Sequence, residues 1–142
     1  MSARSGRQFV DTNILVYAHD LSAGRKHIKA KELVSSLWEE GSGCLSIQIL
    51  QEFFVTVTQK VKRPLSDDSA MLILSALARW KVHAPDTEDV LEAIKIRGRY
   101  QLAFWDAMVL QSAEKSGCHI LWTEDLSHGQ TYGNVKALSP FR

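Results

Sequence analysis

FVDTNILVYAHD, residues 9–20, sets a carboxylate between two apolar runs. Phe9 and Val10 read as the end of a buried strand, and Ile14, Leu15 and Val16 as further core, with Asp11 between them. An ionised acid taken out of water without a partner costs several kcal/mol. Asp11 therefore caps the helix that follows, pairs with a cation, or helps to hold a metal, and the rest of the chain has to decide which.

Outward from this stretch, strands alternate with helices. Residues 7–11 read as a strand and Asn13 to Asp20 as a helix. Gly24 to Glu40 is a charged amphipathic helix in which Ile28, Leu33, Leu37 and Trp38 can share a face. Cys44 to Ser46 is a short strand, and Ser46 caps a helix from Ile47 to about Lys62 that Pro64 stops. Ser66 to Arg79 opens with an acid-rich turn suited to a helix N-terminus. Residues 80–85 form an edge-like strand, and Thr87 caps a helix ending at Tyr100. Phe104 to Ser116 is helical, residues 118–123 form a strand, a polar glycine-bearing loop follows, and residues 134–140 make a last strand. The pattern predicts one α/β domain over residues 1–142, doubly wound, with a mainly parallel sheet of about five short strands and a flexible tail at residues 1–6. Ligands in such sheets bind beyond the carboxyl ends of the strands, which is where Asp11 lies.

Composition narrows the function. A net charge of +1 is not the strong positive field of an obligate nucleic-acid coat, so a polyanion needs local cationic patches or a bound cation. Cys44 and Cys118 have no metal-ligand spacing and fit small core residues of a reduced, cytoplasmic protein. The N-terminal residues carry no apolar run of a signal peptide, and the longest apolar run, Ala70 to Ala78, is too short to span a membrane.

Three more acids stand in apolar surroundings. Glu52 lies on a helix whose next charge is Lys60, Asp106 sits in the first turn of LAFWDAMVLQSA, and Asp125 follows the strand ending in Thr123. Each has an ordinary reading: Asp106 as a first-turn acid, Asp125 as a turn residue, Glu52 in an ion pair and Asp11 as a cap. Four such acids brought to one sheet edge, with no basic residue next to any of them, have no ordinary reading. An all-oxygen set of this kind suits Mg²⁺ or Mn²⁺. The five histidines lack metal-ligand spacing and read as surface or packing residues, with His19 and His128 near the mouth of the site.

In order, FVDTNILVY, the isolated Glu52, FWDAMVLQSA and LWTEDLSHGQ resemble the motifs of PIN domains, and in particular of VapC-type toxin ribonucleases, nearly end to end. The resemblance implies a Mg²⁺- or Mn²⁺-dependent endoribonuclease that leaves a 5′-phosphate and a 3′-hydroxyl. It assigns the acidic centre to Asp11, Glu52, Asp106 and Asp125, with Asp11, Asp106 and Asp125 on the metal and Asn13 and Thr123 orienting the acids. Asp125 is chosen over Glu124 by the family's pattern of Thr, any residue, acid. It further implies an RNA substrate, a small antitoxin partner, a homodimer and no membrane.

RNA would be gripped by Lys60, Lys62 and Arg63, and by Lys95, Arg97 and Arg99, with Tyr100 stacking on a base; the ordinary reading of each cation is a solvated face. Arg25, Lys26, Lys29 and Lys31 read as the wet side of their helix. Two rivals remain. A phospho-receiver would recruit Asp86 and Lys136 but leaves Glu52 and Asp106 unexplained, and a non-catalytic RNA-binding protein of the same fold would need no metal.

Overall fold

The computed structural model describes residues 6–142; of the tail expected at residues 1–6, all but Gly6 lies outside the described residues. In chain order the elements are β1 (Gln8–Val10), α1 (Thr12–His19), a short 3-10 turn (Leu21–Ala23), α2 (Arg25–Glu40), β2 (Gly43–Ser46), α3 (Ile47–Gln59), α4 (Asp67–Leu77), β3 (Lys81–His83), α5 (Thr87–Tyr100), α6 (Phe104–Lys115), β4 (Ile120–Trp122), β5 (Thr131–Tyr132) and β6 (Val135–Leu138).

The sheet runs β3-β2-β1-β4-β6-β5. All pairings are parallel except β5 with β6. From β1 the chain winds outward through β2 to β3, then returns to place β4 on the other side of β1. Right-handed crossovers put the helices of the outward half on one face and α5 and α6 on the other. The packing agrees: α1 touches α2 and α3, α3 touches α4, and α5 touches α6. The reversal between β1 and β4 is the switch point, where a crevice opens at the carboxyl ends. The core between the layers is built on Phe9, Ile14, Leu15, Leu37, Leu45, Ile49, Phe53 and Leu121, all fully or almost fully buried.

Several expectations need correction. Residues 131–132 of the supposed polar loop form a sixth strand, because Gly133 and Asn134 close a two-residue hairpin onto β6. Gly133 has φ +62°, the left-handed conformation such a turn requires. Helix α5 is capped by Asp86, not Thr87: the Asp86 carboxylate accepts from Asp89 N at 2.9 Å, and the Asp89 carboxylate accepts from Asp86 N at 3.0 Å. This reciprocal pair satisfies two end donors at once. Helix α3 stops at Gln59, so Lys60 and Lys62 lie in the bend beyond it, where Leu65 N donates to Val57 O. The buried stripe of α2 is Ala30, Val34 and Leu37, while Ile28 and Trp38 are exposed.

Candidate active site

Strands β1 and β4 end side by side, Val10 in register with Trp122, and Asp11 N donates to Trp122 O at 2.9 Å. The next residues on both strands therefore face one crevice. Asp11 leaves β1 in an extended conformation and is the N-cap of α1, but its carboxylate does more than cap. One oxygen accepts from Thr12 N at 2.7 Å, and the other accepts from Thr123 Oγ1 at 2.7 Å. Thr123 Oγ1 in turn accepts from Asp125 N at 3.0 Å, so this buried hydroxyl ties the loop after β4 to the acid after β1.

Helix α3 brings Glu52 to the same crevice. Its carboxylate accepts from Thr12 Oγ1 at 2.6 Å and from Gln48 Nε2 at 3.3 Å. Gln48 Nε2 also donates to Trp105 O at 3.3 Å, which fixes the start of α6 and hence Asp106. Asp11, Glu52, Asp106 and Asp125 all line one cavity of about 820 Å³. Glu124, by contrast, accepts from Tyr17 Oη at 2.7 Å and pairs with Lys26, whose ammonium also sits over the rings of Tyr17 and Phe141. Lys26 is thus not simply on the wet side of α2.

The electrostatics are those of crowded acids. Burial raises the Asp11 carboxyl to about 7, opposed by the bond from Thr123 and reinforced by the charges of Asp125 and Glu52. Partial burial, then the charges of Asp125 and Glu52, raise Asp106 above the usual carboxylate range. Asp125 is also raised, first by burial, with Asn13 opposing and Glu124 and Glu52 adding. No ion pair among the described residues reaches this group: Lys26 is held by Glu124, and the other ion pairs lie elsewhere.

A hard divalent cation fits the donor set. The residues that line the cavity supply carboxylates, and two more of them, Asn13 and Gln48, hold side-chain oxygens that are buried and accept no hydrogen bond. Buried acceptors are rarely left so. Among the described residues no three His, Cys, Asp or Glu side chains stand close enough together to hold a metal ion, so a cation here would be met by fewer of them at once and by waters, as Mg²⁺ commonly is.

The expected cations divide. Lys60 and Lys62 line the cavity; Arg63, Lys95, Arg97 and Arg99 do not. Lys95 lies 3.7 Å from Glu92 on α5. Tyr100 is not free to stack on a base: its hydroxyl accepts from Gly133 N at 2.8 Å and its ring packs edge-on against Tyr132. His19 and His128 are not at the mouth either. His19 packs on Phe53 with Nδ1 at the Leu15 carbonyl, and His128 Nδ1 accepts from Ser139 N. Asp86, the acid a phospho-receiver would need, is spent on the α5 cap. Sequence reasoning missed Thr12, Gln48 and Trp105. Thr12 and Gln48 stand beside or four residues before a site acid, the spacing that meets on a helix face, and Trp105 is an exposed aromatic next to Asp106.

Several solved structures share this fold. VapC20 from Mycobacterium tuberculosis, a toxin that cleaves the sarcin-ricin loop, superposes with a TM-score of 0.63 at 18% identity, covering 83% of this chain and 89% of its own. A toxin–antitoxin complex from Klebsiella pneumoniae gives 0.68 at 20% identity over 96% of this chain and 98% of the other. DNA-bound VapBC from Salmonella typhimurium gives 0.66 at 16% identity over 96% and 99%. At these identities the likeness is one of fold. No curated protein sequence matches at a significant level. The model of the PIN domain matches residues 9–134, from the first strand to the last hairpin, and the chain belongs to that family.

Proposed function

We propose that this chain is a divalent-metal-dependent endoribonuclease of the VapC type, the toxin of a toxin–antitoxin pair. One observation carries the chemistry: Asp11, Glu52, Asp106 and Asp125 share one cavity at the switch point, and among the described residues no ion pair reaches any of them. The named neighbours, a ribosomal-loop-cleaving toxin and two complexes with antitoxins, support the biological role.

Asp11, Asp106 and Asp125 would hold Mg²⁺ or Mn²⁺. When bound, the cation supplies an ionised water near neutral pH and offsets the charge that builds on the phosphate. The chain's own residues prepare the site. Thr12 and Thr123 fix both oxygens of Asp11 and aim its remaining lone pairs into the cavity. Asn13 steadies Asp125. Glu52, held by Thr12 and Gln48 at the cavity wall, orients the attacking water and accepts its proton. Water adds to phosphorus as Glu52 takes its proton, the bond to the 3′ oxygen breaks, that oxygen takes up a proton from solvent, and a 5′-phosphate and a 3′-hydroxyl result.

Cleavage of end-labelled RNA tests the reaction. Mn²⁺ or Mg²⁺ should support cleavage and EDTA should abolish it. Asp106→Asn, which keeps shape and removes charge, should lower the rate at least about a hundredfold, the scale of losing a main electrostatic element. Undiminished cleavage by Asp106→Asn in EDTA overturns the assignment. The toxin role predicts growth arrest on induction of the chain in bacteria, relieved by Asp106→Asn or by a small antitoxin. Light scattering of the purified chain tests the homodimer.

A further inference from the structure

We propose that Trp105 is a stacking platform for an unpaired base beside the scissile phosphate, a specificity-determining residue of the site. This rests on the ribonuclease reading and adds one residue to that same site.

Trp105 is 60% exposed, at the second position of α6, immediately before Asp106. An indole this open has no packing reason to be there, since a half-polar side chain would solvate better. It is nevertheless braced. Its ring meets Phe104 edge-on at 5.0 Å, and Phe104 is anchored in the small apolar cluster of Ala93, Ala107 and Met108 between α5 and α6. Its carbonyl is held by the Gln48 amide that also holds Glu52. The platform and an acid of the reaction centre are thus fixed by one nitrogen.

The same cavity is lined by the exposed Val55 and by Lys60 and Lys62. Acids, an aromatic face and cations in one cavity match one nucleotide turned out of its strand: a phosphate met by the acids through a bound cation, the base on the indole, a neighbouring phosphate on a lysine. A base within a duplex is stacked on both faces and has none to offer. Every unpaired base has a π-face, so the platform imposes single-strandedness rather than sequence.

The test is binding with Mn²⁺ present, followed by fluorescence anisotropy of a labelled unstructured oligoribonucleotide and of a hairpin stem, both phosphorothioate-linked to block turnover. Trp105→Ala should weaken the unstructured RNA roughly five- to a hundredfold, the effect of losing one stacked base. Stem binding should change less than twofold, and Trp105→Phe should restore most of the loss. The unstructured RNA should also quench indole emission in the wild type and much less in Trp105→Phe, although Trp38, Trp80 and Trp122 remain. Equal losses for both RNAs, or none, overturn the proposal. So does loss of antitoxin binding with RNA affinity intact, which makes Trp105 a protein contact. Cleavage by the wild type with no effect of Trp105→Ala removes the platform alone, whereas Trp105-dependent binding without any metal-dependent cleavage removes the ribonuclease reading alone.

Discussion

Asp11 holds two jobs that pull in different directions. As a cap it satisfies Thr12 N, and as a buried acid near three others it carries a charge the fold does not neutralise. Removing that charge should relieve the metal-free protein. We expect Asp11→Asn in EDTA to be as stable as the wild type or more so, by roughly 0.5–2 kcal/mol. Losing the acceptor for Thr123 Oγ1 offsets part of the gain, about 1 kcal/mol for one hydrogen bond. A metal that binds only the folded site, as proposed, should stabilise the wild type by about 2.7 kcal/mol at a hundredfold excess over its Kd. The variant should lose most of that increment. Thermal melts of both proteins with EDTA and with Mn²⁺ measure it, and equal metal-induced shifts would reduce Asp11 to a cap.

At the scale of elements, the α5–α6 pair rests on a buried polar knot. Asp89 accepts from Asp86 N, from Gln111 Nε2 at 2.7 Å and, at 3.0 Å, contacts His83 Nε2, whose other nitrogen meets Ser112 Oγ. The bond from the Asp86 backbone comes first among the causes that hold the Asp89 carboxyl down at about 2, with Gln111, His83 and Lys115 adding. A carboxyl depressed on folding stabilises above its unfolded value near 4, and the contribution is lost as pH falls through about 2. Asp89→Ala leaves buried donors unpaired and should cost at least about 2 kcal/mol at pH 7. The gap between wild type and variant in urea melts should be full at pH 5 and narrow progressively towards pH 2. A gap independent of pH would mean that packing, not charge, is what Asp89 contributes. Because α6 carries Trp105 and Asp106, this knot, whose residues do not line the cavity, helps to place both.

For the whole molecule, a net charge of +1 means that the proposed capture of RNA falls to local cations. Of the cationic groups read from the sequence, only Lys60 and Lys62 face the cavity. If both track phosphates, affinity for single-stranded RNA should fall with log salt by about 0.7 per phosphate contact. Replacing both by Ala should lower that slope by roughly 1.4, while replacing Arg97 and Arg99 leaves it unchanged. Anisotropy titrations across a salt series decide between them, and equal slopes for both double variants would return the two lysines to a solvated face.

The alternation of short apolar strands with capped helices was enough to determine a doubly wound α/β fold, because hydrophobic period and turn chemistry are local. The acids stood out for the same reason: Asp11, Glu52, Asp106 and Asp125 each interrupt an apolar neighbourhood, and the motifs around them point to the PIN family that residues 9–134 match. What local pattern could not carry is which polar atoms meet. The hydroxyl of Thr12 on Glu52, the single Gln48 amide shared by Glu52 and Trp105, and the turning of Glu124 towards Tyr17 and Lys26 all join residues distant in sequence. The cations show the same limit. Charge is visible along the chain, but whether Lys62 or Arg97 faces the crevice depends on where a helix stops and which layer it joins, and only the packed sheet decides that.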